Sequence, residues 1–338
     1  MLVPMGIAVL PQGKYSSSVL FKCAINMGQD DRPYHLQWGG DMSNVQQMNR
    51  IATAPGLIAA LDQSGGSTPK ALKLFGINER QYKCEDEMYD MIHQMRSRII
   101  MSPVFNRDSI IGAILFEMTI DRKIGGKPTA QYLWEDLGIV PFLKVDKGLA
   151  EEHDGACLMK PIPGIQKLLS RAVSLGIFGT KMRSVINAAS KSGIASVVSQ
   201  QFDLAAMISA AGLVPIIEPE VSISIPDKSD AEAILLEEIQ KCLFALPEDQ
   251  KVIFKLTIPE KPNLYKPLID HPGCLRVLAL SGGYSISEAN ERLAKNFGMI
   301  ASFSRALTEG LNANQTNDEF NAALQNNICS IKEASAAG

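Results

Sequence analysis

Eight short apolar runs, most of them separated by helical patterns, predict an α/β chain that folds as a single (β/α)8 TIM barrel. Each run has the length of a strand, and several end in polar or charged residues. No GxGxxG turn is present, which argues against a doubly wound sheet. No linker rich in Ser, Thr or Pro interrupts residues 56–335, so we expect one domain.

The predicted strands follow one another along the chain at regular intervals. They lie at residues 56–62, 110–116, 140–146, 178–185, 214–221, 251–258, 276–280 and 299–304. Helical patterns between them are clearest at residues 165–175, 194–211 and 230–246. This alternation of strands and helices is the order that a parallel barrel requires.

The two ends of the chain are predicted to differ from the barrel. Residues 1–41 have no sustained helical or alternating pattern, and we interpret them as a poorly ordered extension without the features of a secretory signal. The barrel domain would occupy residues 42–338, and its first helix would be capped by Ser43 or Asn44. The small residues at 334–338 predict a mobile C-terminal tail.

Composition excludes several classes of function. With 338 residues, 46% hydrophobic content and a net charge of -3, the chain is ordinary for a globular enzyme and unsuited to binding nucleic acid or a membrane surface. No apolar run is long enough to span a bilayer. The six cysteines are scattered, which favours reduced thiols and a cytoplasmic location. The four histidines have no metal-ligand spacing, so no metal or cofactor is predicted.

The predicted strand at 251–258 carries a lysine among apolar residues. Because side chains alternate along a strand, Lys255 shares a face with Ile253, while Phe254 points to the other side. A buried lysine pays a desolvation penalty when it is charged, which favours the neutral amine that attacks carbonyls to form Schiff bases. The alternative is a lysine at the strand end that extends to water.

Charged residues recur at the ends of the other strands, where the reacting groups of barrel enzymes lie. In chain order they are Asp62, Lys144, Asp146, Lys181, Arg183, Glu218, Glu220, Lys255 and Arg305. Ser281-Gly282-Gly283 follows the seventh predicted strand and offers backbone N–H groups to an anion. With Arg305 after the eighth strand, it forms a predicted phosphate site. The whole set favours a sugar phosphate as substrate.

Six motifs in order resemble the class I fructose-bisphosphate aldolases, particularly their bacterial-type branch, over about residues 43–330. The motifs are ALDQSGGS at 60–67, KVDKG at 144–148, IEPE at 217–220, FKL at 254–256, LSGG at 280–283 and SRAL at 304–307. The resemblance implies a metal-independent lyase of glycolysis and gluconeogenesis. It would reversibly cleave fructose 1,6-bisphosphate to dihydroxyacetone phosphate and glyceraldehyde 3-phosphate.

The resemblance also implies roles for five catalytic residues. Lys255 would form the Schiff base with the C2 ketone, and Glu218 would serve as acid and base. Asp62 would hold the substrate hydroxyl near the bond that breaks. Lys181 would stabilise charge beside the imine, and Lys144 would line the same mouth of the barrel.

Further residues are implied in binding and support. Ser281, Gly282, Gly283 and Arg305 would bind one phosphate, and Ser64, Ser67 and Arg183 would lie near the other. Glu220 and Asp146 would orient the cations, with a purely structural role as an equal alternative.

This sequence departs from the animal-type pattern at a few positions. Gln63 replaces Glu, Ala71 replaces an arginine that follows a lysine, and Ser304 replaces glycine. The chain also lacks a C-terminal tyrosine. These differences leave the contacts to the second phosphate open.

Three alternatives stay open at this point. One is another Schiff-base barrel lyase, of the transaldolase or deoxyribose-phosphate type, which needs only one phosphate site. The second is a metal-dependent aldolase or a phosphosugar isomerase, and the third is a binding protein on an aldolase scaffold. The sequence does not decide the oligomeric state, so a homo-oligomer is also open.

Overall fold

Eight parallel strands follow the chain order around a barrel in the computed structural model, which describes residues 42–338. The strands are β1 (Leu57–Leu61), β2 (Ile110–Leu115), β3 (Val140–Lys144), β4 (Gly179–Ile186), β5 (Val214–Val221), β6 (Val252–Thr257), β7 (Cys274–Leu280) and β8 (Met299–Ala301). Between β8 and β1, the Nε2 of Gln63 donates a hydrogen bond to the Oγ of Ser304 over 2.8 Å. The predicted fold is confirmed, and each strand overlaps its predicted run.

Helices pack against the barrel. The longer ones are α1 (Met42–Thr53), α2 (Ser67–Leu74), α3 (Glu85–Ile100), α4 (Ile165–Ser174), α5 (Lys191–Ala210), α6 (Lys228–Phe244), α7 (Ile286–Leu293) and α8 (Asn317–Ala337). Short helical turns lie at Glu79–Gln81, Glu117–Ile120, Thr129–Gln131, Tyr132–Asp136, Lys266–Ile269 and Arg305–Thr308. No described helix has the length and apolar character needed to cross a membrane.

Two hydrophobic layers form because strand side chains alternate between the inside and the outside of the barrel. On β6, Phe254 and its apolar neighbours pack in the outer layer against the helices, whereas Ile253 packs in the inner layer. Lys255 therefore points into the barrel with Ile253, and the face that these two side chains share is the predicted one. The same alternation turns Glu218 inward with Ile216 on β5.

Some elements were not predicted. An antiparallel hairpin, Leu149–His153 with Ala156–Met159, follows β3, and its second strand pairs with β4. A smaller hairpin joins Lys123–Ile124 to Lys127–Pro128. These segments are short and lack the long apolar run that marks the barrel strands.

The chain ends differ from the expectations in part. The predicted mobile tail at 334–338 is helical as far as Ala337, and Ser335 is buried, where its Oγ accepts a hydrogen bond from the N–H of Ala301. That bond ties the last helix to β8. Helix α1 begins at Met42, slightly before the predicted caps. The expectation for residues 1–41 falls outside the described residues.

Candidate active site

A cavity of about 640 Å³ opens at the carboxyl ends of the strands. All of the predicted site residues except Gly283 line it. Strands β1, β3, β4, β5 and β6 each bring at least one charged side chain to its floor, either from the strand or directly after it. The barrel thus gathers residues that lie almost 250 positions apart in the chain.

Glu218 lies between two lysines at the centre of this floor. Its Oε1 is 2.9 Å from the Nζ of Lys255, and its Oε2 is 2.8 Å from the Nζ of Lys181. The Nζ of Lys181 is also 2.7 Å from the Oδ2 of Asp62. All four side chains are almost fully buried, so these contacts act with little screening by water. One carboxylate is therefore placed to exchange protons with the predicted nucleophile.

Burial and neighbouring charges act in opposite directions on the pKa values of Glu218, Asp62 and Lys181. Burial would raise the pKa of Glu218, but the ammonium groups of Lys181 and Lys255 outweigh it, and the pKa lies below its ordinary value. The pKa of Asp62 is likewise lowered, because the lysines overcome the effect of burial. Burial would lower the pKa of Lys181, yet the carboxylates of Asp62, Glu218 and Asp146 raise it. Both acids are thus held ionised around a charged Lys181.

Two further carboxylates hold cations at the wall of the cavity. The Nζ of Lys144 is 2.6 Å from the Oδ1 of Asp146, and the Oδ2 of Asp146 is 4.0 Å from the Nζ of Lys181. The Nε of Arg183 donates to Glu220. Burial would lower the pKa of Arg183, but Glu220 raises it. These contacts suit the supporting role predicted for Asp146 and Glu220.

The turn after β7 leaves no room for side chains. Gly282 and Gly283 have φ angles of +60° and +133°, which residues with a Cβ rarely adopt. A Cβ on Gly282 would lie 2.7 Å from the Cγ2 of Ile223, and one on Gly283 would lie 3.3 Å from the Nη2 of Arg305. The guanidinium of Arg305 is therefore beside the glycine backbone, as a phosphate site requires.

Hydroxyl groups and a lysine that follow β1 also line the cavity, next to the junction where Gln63 contacts Ser304. The N–H of Ser64 donates to the Oγ of Ser67 over 2.9 Å at the start of α2. Lys70, one turn further along α2, also lines the cavity. Lys70 was not predicted as a site residue, although it directly precedes Ala71, one of the positions at which this sequence departs from the animal-type pattern.

Comparison with known proteins places this architecture in a family. A sequence model described as "Fructose-bisphosphate aldolase class-I" matches residues 44–274. The "Fructose-bisphosphate aldolase class 1" of Synechocystis sp. is 57% identical over 292 residues, which cover 86% of this chain and 97% of that protein. The chain belongs to the class I fructose-bisphosphate aldolases.

Solved structures share the fold of this aldolase at low identity. A fructose-bisphosphate aldolase from Plasmodium falciparum, crystallised with TRAP and an inhibitor, superposes with a TM-score of 0.68 at 19% identity, covering 88% of this chain and 94% of that one. A protein from Corynebacterium glutamicum gives a TM-score of 0.50 at 12% identity, covering 86% and 92%. Both similarities concern the barrel alone.

A buried arginine that was not predicted supports the seam of the barrel, which is the junction between β8 and β1 where Gln63 contacts Ser304. Arg96 on α3 is fully buried, and its guanidinium donates to the backbone oxygen of Gln63 over 2.5 Å and to the Oγ1 of Thr119 over 2.7 Å. Burial lowers the pKa of Arg96 to about 10. Gln63 in turn donates to Ser304, which directly precedes Arg305. Arg96 therefore supports Ser304 indirectly, through Gln63.

The aldolase has no metal-ligand cluster within residues 42–338. No group of three His, Cys, Asp or Glu side chains in that part of the chain could hold an ion. The buried carboxylates of the site are instead paired with lysines and an arginine.

Proposed function

We propose that this aldolase cleaves fructose 1,6-bisphosphate reversibly to dihydroxyacetone phosphate and glyceraldehyde 3-phosphate through a Schiff base on Lys255. The observation that carries the proposal is the position of Glu218, within 2.9 Å of Lys255 and 2.8 Å of Lys181. A buried amine beside an ionised carboxylate can lose its proton locally and attack a carbonyl. The 57% identity to a class I aldolase supports the same reaction.

Glu218 would move protons during formation of the imine. It takes a proton from Lys255, whose free amine then adds to the C2 carbonyl and gives a carbinolamine. The protonated Glu218 next donates its proton to the departing hydroxyl, which leaves as water. The product is a protonated imine, whose positive charge replaces that of the original ammonium.

Bond cleavage would then use this imine as the electron acceptor. The C3–C4 electron pair moves into the imine and forms an enamine, while the C4 hydroxyl loses its proton to Glu218 and becomes the aldehyde. Asp62 orients that hydroxyl, and Lys181 keeps Asp62 and Glu218 ionised before the transfer. Protonation of the enamine at C3 and hydrolysis of the imine release dihydroxyacetone phosphate.

The two phosphate sites would fix the direction of the substrate. Because C1 is bonded to C2, its phosphate must lie near Lys255, and the neighbouring strand β7 leads to the Ser281–Gly283 turn and Arg305. The second phosphate would then reach Ser64, Ser67 and Lys70, which line the cavity after β1. A substrate with two phosphates distinguishes this reading from a lyase with one phosphate site.

The remaining proposals concern the chain as a whole. The cysteines at 84, 157, 242, 274 and 329 are free thiols, which supports a reducing, cytoplasmic location. Every predicted catalytic residue lies within residues 42–338, so we assign catalysis to them and expect residues 1–41 to be dispensable for turnover.

Trapping of the imine tests the reaction. The protein is incubated with dihydroxyacetone phosphate, reduced with sodium borohydride and digested for peptide mass spectrometry. We expect one stable adduct on Lys255, lost in Lys255→Met but retained in Lys251→Met, which changes a half-buried lysine next to the same strand. Cleavage that EDTA abolishes, without an adduct, would contradict the Schiff base. Neither adduct nor cleavage would favour a binding protein.

A further inference from the structure

Gln201 is a fully buried amide that the proposed mechanism does not use. It lies on α5, outside the barrel, and its Oε1 accepts a hydrogen bond from the backbone N–H of Glu218 over 2.8 Å. Among residues 42–338, its Nε2 has no hydrogen-bond partner. A buried donor without a partner destabilises a fold, so an apolar residue would be expected here unless the Oε1 contact has a purpose.

The contact lies where the barrel sheet is interrupted. Register pairs between β5 and β6 end at Ile217 and Phe254, directly before Glu218 and Lys255. By contrast, the pairing of β4 with β5 continues to Val221, and that of β6 with β7 continues to Thr257. The two strands that carry Glu218 and Lys255 thus separate at these two residues.

Side chains replace the missing backbone bonds across this opening. Gln201 satisfies the N–H of Glu218, and the Oγ1 of Thr257 donates to the backbone oxygen of Val221 over 2.7 Å. Pro219 follows Glu218 and has no N–H to offer. The backbone amide of Glu218 is therefore held from the helix layer, by the side chain of Gln201.

We propose that Gln201 is a positioning residue for Glu218, and that it fixes the carboxylate between Lys181 and Lys255 for proton transfer. The proposal rests on the proposed function, in which Glu218 moves the protons. Gln201 itself touches neither substrate nor reacting atoms. Loss of its acceptor would let Glu218 move relative to Lys255, and displacements of about 1 Å in such sites lower rates by about a hundredfold.

Gln200 provides a matched control on the same helix. Its Oε1 accepts from the N–H of Met159 over 2.8 Å and its Nε2 donates to the Met159 oxygen over 3.0 Å, so it binds the hairpin rather than the acid–base residue. Gln200→Leu and Gln201→Leu therefore both remove side-chain hydrogen bonds between α5 and the backbone, two in the first variant and one in the second. Only the second removes a bond to Glu218.

The test compares steady-state kinetics with the exchange of a C3 proton of dihydroxyacetone phosphate in D₂O. We expect Gln201→Leu to lower kcat and the exchange rate by about 10–100-fold, with KM within about threefold. Gln200→Leu should keep both rates. Gln201→Glu retains an oxygen acceptor and should restore most of kcat. The added carboxyl should move the acid limb of the kcat profile to higher pH, because a second acid raises the pKa of Glu218.

Several outcomes would overturn the proposal. Equal kcat in the two leucine variants, or a loss in Gln201→Leu that appears in KM alone, would leave Gln201 with a structural role only. If Gln201→Leu fails to fold, Gln201→Glu serves as the test. A Gln201→Glu variant with the wild-type pH profile and a hundredfold lower kcat would refute the proposed positioning role. Wild-type protein without a borohydride adduct on Lys255 would instead refute the proposed function, so the two failures are distinguishable.

Discussion

Replacement of Lys181 by methionine should expose the charge balance of the site. Lys181 is 2% exposed, and its Nζ is 2.7 Å from Asp62 and 2.8 Å from Glu218. At an effective dielectric constant of 20, each contact is worth roughly 6 kcal/mol before desolvation is counted. Desolvation offsets most of this gain, and removal of one partner from a buried pair typically costs about 3–5 kcal/mol. We expect Lys181→Met to lose about 4 kcal/mol of unfolding free energy at pH 7.

The loss should shrink as the pH falls. Burial raises the pKa of Asp62 and Glu218, but the lysines reverse this, so both folded-state pKa values lie below the unfolded ones. Their ionised forms therefore stabilise the wild type above the unfolded pKa, and this contribution disappears as the pH falls through the folded pKa. Without Lys181, burial raises both pKa values with less opposition. Asp62 and Glu218 are therefore protonated at a higher pH in the variant than in the wild type. The unfolding free energies of the two proteins approach each other below about pH 5.

Urea unfolding followed by circular dichroism at pH 7 and pH 4.5 measures this difference. Lys228→Met is the control, because Lys228 is also buried and paired, with Glu232, but lies away from the cavity. Both variants should lose stability, while only Lys181→Met should lose kcat, by at least about a hundredfold. The reasoning fails if Lys181→Met loses less than about 1 kcal/mol, the value of an exposed pair. An equal loss at both pH values would also contradict it.

Other changes should separate catalysis from binding. Glu218→Gln should lower kcat by about 10²–10⁴-fold in steady-state assays, and a loss below tenfold would remove Glu218 as acid–base residue. Gly282→Ala should raise KM about tenfold more than it changes kcat, because its Cβ would meet Ile223 at 2.7 Å. Arg305→Met should weaken inhibition by inorganic phosphate about thirtyfold, equivalent to a charge-assisted bond of roughly 2 kcal/mol; unchanged inhibition would argue against this phosphate site. Deletion of residues 1–41 should leave kcat unchanged, and a large loss would show that they contribute to the barrel.

The sequence predicted the barrel because its strands are continuous apolar runs, and such runs mark strands buried on both faces. It also predicted that Lys255 shares a face with Ile253 and lies on the other side of the strand from Phe254, since side chains alternate along a strand. The pairing of Glu218 with two lysines could not be predicted from the sequence. That arrangement depends on distances across the barrel, which chain order does not contain.

Missed features had weaker signals. Gln201 falls on the apolar stripe of α5 with Val197 and Leu204, where a polar residue is out of place, and this pattern could have drawn attention to it. The helix in the tail was not predicted, because its small residues were considered without the start of α8. There, Thr316 and Glu319 form a capping box, which marks the beginning of a long helix.

The seam between β8 and β1 has a consequence for biosynthesis. Gln63 and Ser304 are separated by 241 positions, so the barrel cannot close until Ser304 has left the ribosome. Until then, β1 presents an open edge on the side that β8 later covers, and such edges can pair with other chains. The nascent protein therefore carries this exposed edge through most of its synthesis, until the last barrel strand, only three residues long, has been made.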